Sequence, residues 1–429
     1  MNACRLLLAA TFILSGFVKA VDPMGTAYKI ADYAEAMHLG TAVPATAAVV
    51  MSVALSATEF AIGIFLLFAI RRRLSSRMAV ALLAVMTPLT LWLAVANPVS
   101  DCGCFGDAVV LTNWQTLWKN VVLLAAALAV AWRPQAMFRF VSEANQWIVI
   151  NYTVLFIVAI AGMSLYDLPL YDFRPYHIGA NLREGMDMPE GAEPPQFVTT
   201  FVLEKDGRQQ EFTLDDYPDS TWTFVDAHTV QTSEGYVPPI HDFSLTTDEG
   251  DDITDEVLGD TSYVFLLVAP HLEQADDSRL DRINELYEYS QQQGYAFYGL
   301  TASGERAIGR WRDLTGAEYP FCSVDETTLR TIIRSNPGLL LLKDGTVMGK
   351  WSHNRLPQIA PADATKPLEQ LAMGHPDKDG VAAKTARLLL WFVLPLALLV
   401  VADRTWMWSK WLRRRTRGDR TQDPQQPNK

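Results

Sequence analysis

The sequence predicts a multi-pass α-helical membrane bundle that carries a soluble α/β domain and a small β-rich subdomain. Three observations lead there. Long apolar runs alternate with short arginine clusters, the acidic residues are concentrated in one segment, and within that segment strand-like and helix-like periods alternate. Residues 166–385 hold 38 acidic and 17 basic side chains, against 10 acidic and 19 basic in the rest of the 429-residue chain. The acidic segment reads as a water-exposed domain, and apolar runs punctuated by arginine read as spans with cytoplasmic loops. The net charge of −12, with Arg71–Arg73 and Arg413–Arg415 beside apolar runs, argues against nucleic-acid binding.

Taken in order, Leu6–Val21 fits either a retained helix or a cleaved signal peptide. Ala47–Ile70, Met78–Ala96, Trp114–Trp132 and Trp147–Leu165 are each long enough to cross a bilayer. Leu388–Ala402 is shorter. Lys384 and Arg387 on one side and Trp406, Trp408 and Trp411 on the other are suited to complete it as a span. The loops with Arg71, Arg72, Arg73 and Arg77 and with Arg133 and Arg139, and the tail with Arg413, Arg414, Arg415 and Arg417, should be cytoplasmic. Six spans then put residues 22–46, residues 97–113 and the acidic domain on the outer, oxidising face of the membrane.

The boundaries that follow are 1–135 for four spans, 136–165 for a fifth, 166–237 for the β-rich part and 238–360 for the α/β domain. A linker at 361–385, a sixth span at 386–404 and a basic, cytoplasmic C-terminal tail at 405–429 complete the chain, which is polar after Arg417.

Inside the soluble segment, Phe197–Leu203 and Gln210–Leu214 flank Asp206-Gly207 with near-alternating polarity, a hairpin signal. Pro238-Pro239 marks a boundary. Ser262–Ala269 is a continuous apolar strand, Asp277–Gln292 has a helical apolar face, and Tyr295–Leu300 is strand again, which implies a parallel sheet. Helices are expected at Glu305–Leu314 and Thr327–Ile333, and a closing hairpin pairs Gly338–Leu342 with Val347–Trp351 across Asp344-Gly345. This succession is that of a thioredoxin-like fold.

The chemistry centres on Asp101-Cys102-Gly103-Cys104-Phe105-Gly106, where two of the four cysteines stand one residue apart between apolar runs. Such a pair could be a redox dithiol or a structural staple between two helix ends; strain in so small a ring would make it reducible. Glu59 is an ionisable group within an apolar span, so it is protonated, paired or facing a cavity. It is a candidate proton donor, or a hydrogen-bonding contact to another helix. Lys19 and Lys119 are its nearest candidate partners by depth, but both are expected to snorkel outward. Cys4 lies at the cytoplasmic end of the first helix, away from the other thiols. No histidine spacing suits a metal, and none is expected.

Two resemblances attach to these residues. His241-Asp242-Phe243-Ser244-Leu245 and Asp248–Asp252 resemble the entry of thioredoxin-like domains of the peroxiredoxin and TlpA type, and Asn336-Pro337-Gly338 resembles their cis-proline turn. The Cys-x-x-Cys position reads Pro270-His271-Leu272-Glu273, without a thiol, so dithiol exchange there is excluded. Cys322 falls near the Pro337 end in the order of that fold, where it could meet a partner thiol; an inert, half-buried cysteine is the plainer reading.

Phe12–Lys19, followed by Asp22-Pro23, Gly25, Lys29-Ile30 and Asp32-Tyr33, resembles the DoxX and MauE families of bacterial membrane proteins. Glu59–Gly63, Cys102–Asp107 and Trp118–Val121 continue the likeness, and its unbroken run across Ala20 favours a retained first helix. The resemblance implies a four-helix core arranged like DsbB and the vitamin K epoxide reductases, in the inner membrane of a Gram-negative bacterium, tied to disulfide formation or maturation of exported proteins. Those comparators relay electrons to a quinone through a second cysteine pair, which this chain lacks on its outer side. No cofactor is assigned; a quinone enters only through the likeness. One function reading is thiol–disulfide or electron transfer at Cys102 and Cys104 with an exported or periplasmic thiol protein as partner. The other is a non-enzymatic envelope scaffold.

Overall fold

The computed structural model describes residues 1–40, 43–99, 102–194, 196–205, 208–213, 216, 218, 221–233, 235–376 and 380–419. Asp101, the turn at Asp206-Gly207, Leu214 and the tail from residue 420 therefore lie outside the described residues. The chain divides into two compact units, Met1–Arg174 with Trp351–Leu356 and Asp377–Lys429, and Pro175–Lys350 with Pro357–Pro376.

The first unit is helical: α1 Asn2–Val21, α2 Pro23–Ala36, α3 Ala45–Phe68, α4 Arg72–Ala96, α5 Asn113–Trp132 and α6 Gln146–Tyr166. Six helices among the described residues are long and apolar enough to cross a membrane: these without α2, which is too short, and a last one near the C-terminal end, Val381–Asp419. The chain is thus a multi-pass membrane protein. α1 and α3 pack at backbone contact: a Cβ on Gly16 would sit 2.3 Å from the Phe60 nitrogen, and one on Gly63 would sit 2.7 Å from the Ile13 nitrogen. Small residues are how membrane helices gain dispersion contact, because lipid offers no hydrophobic drive for association. Leu8, Phe12, Ile62, Leu66, Leu83 and Leu123 fill the adjoining core.

At one end of this bundle the connections are tied by arginine. Arg5 donates to the Phe138 carbonyl at 2.9 Å, and Arg72 to the Gln135 carbonyl at 2.8 Å. At the other end α2 begins with Asp22 accepting from the Gly25 amide at 2.9 Å and Pro23 in the first turn, a sound helix start. This helix was not anticipated within residues 22–46.

The second unit holds α7 Leu182–Met186, then β1 Gln196–Lys205, β2 Arg208–Thr213 and β3 Thr223–Ser233 in an antiparallel sheet of order β2-β1-β3. The expected hairpin pairs Leu203 with Gln210, and β3 is an addition to it. Next come β4 Thr246–Thr247, α8 Thr254–Gly259, β5 Tyr263–Val268, α9 Leu280–Gln293, β6 Ala296–Thr301, α10 Glu305–Thr315, β7 Phe321–Ser323, α11 Glu326–Ile332, β8 Gly338–Lys343 and β9 Thr346–Ser352. These strands form a sheet of order β4-β7-β6-β5-β8-β9.

β5 is buried at every position, as a central strand covered on both faces must be, and α9 supplies the crossover that parallel β5 and β6 require. β8 runs antiparallel to β5, and the Asn336-Pro337 peptide before it is cis. Strand order and direction make this a thioredoxin-like domain.

The last helix, α12 Val381–Asp419, holds the expected apolar run within 39 helical residues that also include the flanking cations and tryptophans. Asp403 anchors it, accepting from the Ser142 amide at 2.8 Å and from Asn145 at 2.6 Å.

Candidate thiol site

Cys102 and Cys104 lie in the connection between α4 and α5, whose ends are closed by side-chain amides. Asn113 donates to the Asn97 side chain and to the Val99 carbonyl, both at 2.9 Å, and Thr112 and Gln115 form a reciprocal cap on α5. Between the cysteines, Gly103 takes a φ of +61°, and a Cβ there would meet the Lys29 side chain at 3.1 Å. Only glycine enters that region without strain, so the tight link is built into the sequence. The two sulfurs are 3.0 Å apart, and both residues are half-buried.

Helices α1 and α2 hold the link in place. Tyr33 donates its hydroxyl to the Cys102 carbonyl at 2.5 Å. The Ser15 hydroxyl lies 2.7 Å from the Cys104 carbonyl and 2.7 Å from Glu59 Oε2; with one proton, it donates to one of them at a time. Beneath it Lys19 Nζ donates to both Glu59 oxygens at 2.8 Å and to Ser15 Oγ at 3.0 Å. This corrects the expectation that Lys19 snorkels outward: its side chain is 5% exposed and that of Glu59 6%. A buried carboxylate needs a counter-charge, and here the ammonium spends its three protons on three oxygens. Lys119 instead lies 4.5 Å from the centre of the Phe105 ring, against the same loop.

The environment splits the two thiols. The hydrogen bond from Cys102, then the ammonium groups of Lys119 and Lys19, hold the Cys104 thiol down at about 6 against the opposing effect of burial. The Cys102 thiol is raised, first by its hydrogen bond to Cys104 and then by burial. Cys104 is therefore the better thiolate and Cys102 the better proton donor.

The remaining cysteines stand apart. Cys4 is half-buried near the start of α1. Cys322 is 1% exposed, and burial raises its thiol to about 11. It pairs in register with Thr247 and Leu300, and that row continues through Val268 to Gly338, so Cys322 lies at the Pro337 end of the sheet, as expected, with β6 and β5 between its strand and β8. At the thiol-free position after β5, His271 Nε2 lies 2.9 Å from Glu326 Oε1, and Arg330 also pairs with that carboxylate. Sequence reasoning missed Ser15 and Tyr33 as supports; the i, i+4 spacing of Ser15 and Lys19 was the available signal, since it sets both on one helix face.

Residues 1–133 match the family described as methylamine utilisation protein MauE. The membrane portion carries a MauE-like domain. All the residues grouped around the thiols belong to it, including Lys119. Residues 197–234 match a domain of unknown function, DUF8463. Among solved structures, a candidate protein disulfide isomerase from Bacteroides thetaiotaomicron is similar at 15% identity over 27% of this chain and 76% of its own, with a TM-score of 0.21. Bacterioferritin comigratory protein of Xanthomonas campestris, described for alkyl peroxide reduction, is similar at 15% identity over 27% of this chain and 82% of its own, with a TM-score of 0.20. No curated protein matches the chain.

Proposed function

We propose that the MauE-like domain carries out thiol–disulfide exchange through Cys102 and Cys104 at the outer face of the bacterial inner membrane, supporting maturation of exported proteins. The observation that carries this reading is a pair of sulfurs 3.0 Å apart whose link rests, through Ser15, on the buried Lys19–Glu59 pair. A loop staple would need neither the ammonium groups nor the division between the two thiols.

In the reducing direction the Cys104 thiolate attacks a client disulfide. A bond forms between Cys104 and one client sulfur while the client's own bond breaks, and the released thiolate takes a proton from water. Cys102 then loses its proton to water and attacks the Cys104 sulfur. That closes the Cys102–Cys104 disulfide and frees the second client sulfur, which is protonated in turn. The client gains two electrons and two protons; the pair gives up the two electrons and the one Cys102 proton, and water supplies the other. Run backwards, the same steps oxidise a client dithiol.

Resetting the pair requires a two-electron donor or acceptor outside this chain, because Cys4 sits at the far end of α1 and Cys322 is sealed in its sheet. The thioredoxin-like domain, with no thiol at the position directly following β5, is assigned to docking the client.

Trapping thiols with a mass-tagged maleimide tests the reading. Cys102→Ser is expected to accumulate a mixed disulfide through Cys104, since the resolving thiol is gone, and Cys104→Ser is expected to accumulate none. No mixed disulfide in either variant would contradict the proposal.

A further inference from the structure

Three arginines at the opposite end of the bundle converge in a way that membrane orientation alone does not require. Arg73 and Arg77 from the first turns of α4 and Arg133 from the end of α5 line one open cavity of about 570 Å³ together with Ser76, Trp132 and Gln135. The cavity lining holds no carboxylate, and among the described residues no acidic side chain pairs with Arg73, Arg77 or Arg133. The first turn of α4 also lacks an acidic residue and a side-chain cap. Its guanidinium groups therefore add to the positive end of the helix dipole where negative charge would be favoured. The cavity has the field of an anion site.

Its walls specify the anion further. Trp132 is 81% exposed and Leu128, one turn earlier on α5, is 53% exposed, so an apolar strip leads from the cavity along a membrane span. The Arg133 guanidinium lies 5.4 Å from the Trp132 ring centre, which seats charge and apolar surface side by side. A free anion has no use for that strip, and a neutral lipid has no use for three unpaired cations. We propose that this cavity binds the headgroup phosphate of an anionic glycerophospholipid, with an acyl chain lying along Leu128. Arginines scattered through the two connections would satisfy the orientation rule equally well; their meeting at one cavity beside an exposed apolar strip is the added feature.

The test uses the full chain, purified and delipidated in detergent, with adducts counted by native mass spectrometry during titration with phosphatidylglycerol, phosphatidylcholine or inorganic phosphate. Phosphatidylglycerol is expected to bind in preference to phosphatidylcholine, and inorganic phosphate is expected not to displace it. R73Q/R77Q/R133Q is expected to weaken phosphatidylglycerol binding by about fivefold for each arginine removed. R413Q/R414Q/R415Q, which removes equal charge from the tail, is expected to leave it unchanged.

Because neutralising one end can disturb insertion, R73K/R77K/R133K serves as a charge-retaining variant. It is expected to keep the preference while binding more weakly, since lysine loses the bidentate phosphate geometry. Equal binding of the two lipids, equal loss in the tail variant, displacement by inorganic phosphate, or a lysine variant without any preference would each overturn the proposal.

Discussion

Cys104 is the residue on which the proposed exchange turns, because its surroundings favour its thiolate while those of Cys102 do the reverse. With Cys104 held at about 6, its alkylation should remain fast at neutral pH and fall away as pH drops through about 6. An ordinary cysteine would already be mostly protonated below about 8.5. Rates of maleimide capture against pH check this, and a Cys104 midpoint near the ordinary value would contradict it. Lys19→Met should leave the Glu59 carboxylate buried without its counter-charge and destabilise the bundle by roughly 3–5 kcal/mol. Adding Glu59→Gln should recover much of that loss in thermal unfolding, whereas a Lys19→Met chain melting with its parent would remove the pair from the account. The cysteines and Glu59 were legible because thiols and an intramembrane acid are informative by residue type alone. The Lys19 partnership was half legible: depth in the membrane named Lys19 as a candidate partner, but the pairing joins residues 40 apart through helix packing that no local spacing encodes, and an outward-pointing lysine was expected instead.

At the scale of elements, the Cys-Gly-Cys link and the α1–α3 crossing each depend on a glycine for a different reason. Gly103→Ala places a Cβ at positive φ, at about 1–2 kcal/mol, and against Lys29. The expected result is a displaced link and a shifted dithiol–disulfide equilibrium in a glutathione buffer; an unchanged equilibrium would show that the link tolerates other geometries. Gly16→Leu forces a side chain into the Phe60 backbone and should cost at least about 1–3 kcal/mol, read from melting of the purified chain. The long apolar helices and the β5–α9–β6 unit were legible because their periods are strong and uninterrupted. Helix α2 was not, because its polarity is mixed, although Asp22-Pro23 carried a start signal. The full length of α12 was not legible, because hydropathy marks where a helix meets lipid, not where its hydrogen bonding stops. Strand β3 was hidden by the reading of its surroundings as turns.

For the whole molecule, a multi-pass helical membrane part and a thioredoxin-like domain were both visible in the alternation of apolar, arginine-rich and acidic segments. Division of labour is the claim that remains: the membrane part supplies the reactive thiols, and the soluble part, with no thiol directly following β5 and Cys322 buried in its sheet, supplies client contact. Its most direct test is capture in intact cells with a membrane-impermeant, mass-tagged maleimide, on the parent chain and on Cys102→Ser. The account predicts that Cys104 is reached from outside the inner membrane, that its redox state changes when client disulfides are added or withdrawn, and that Cys102→Ser holds a client through a mixed disulfide. A pair that stays in one redox state under all these conditions, or that is sealed from the outer side, would contradict it.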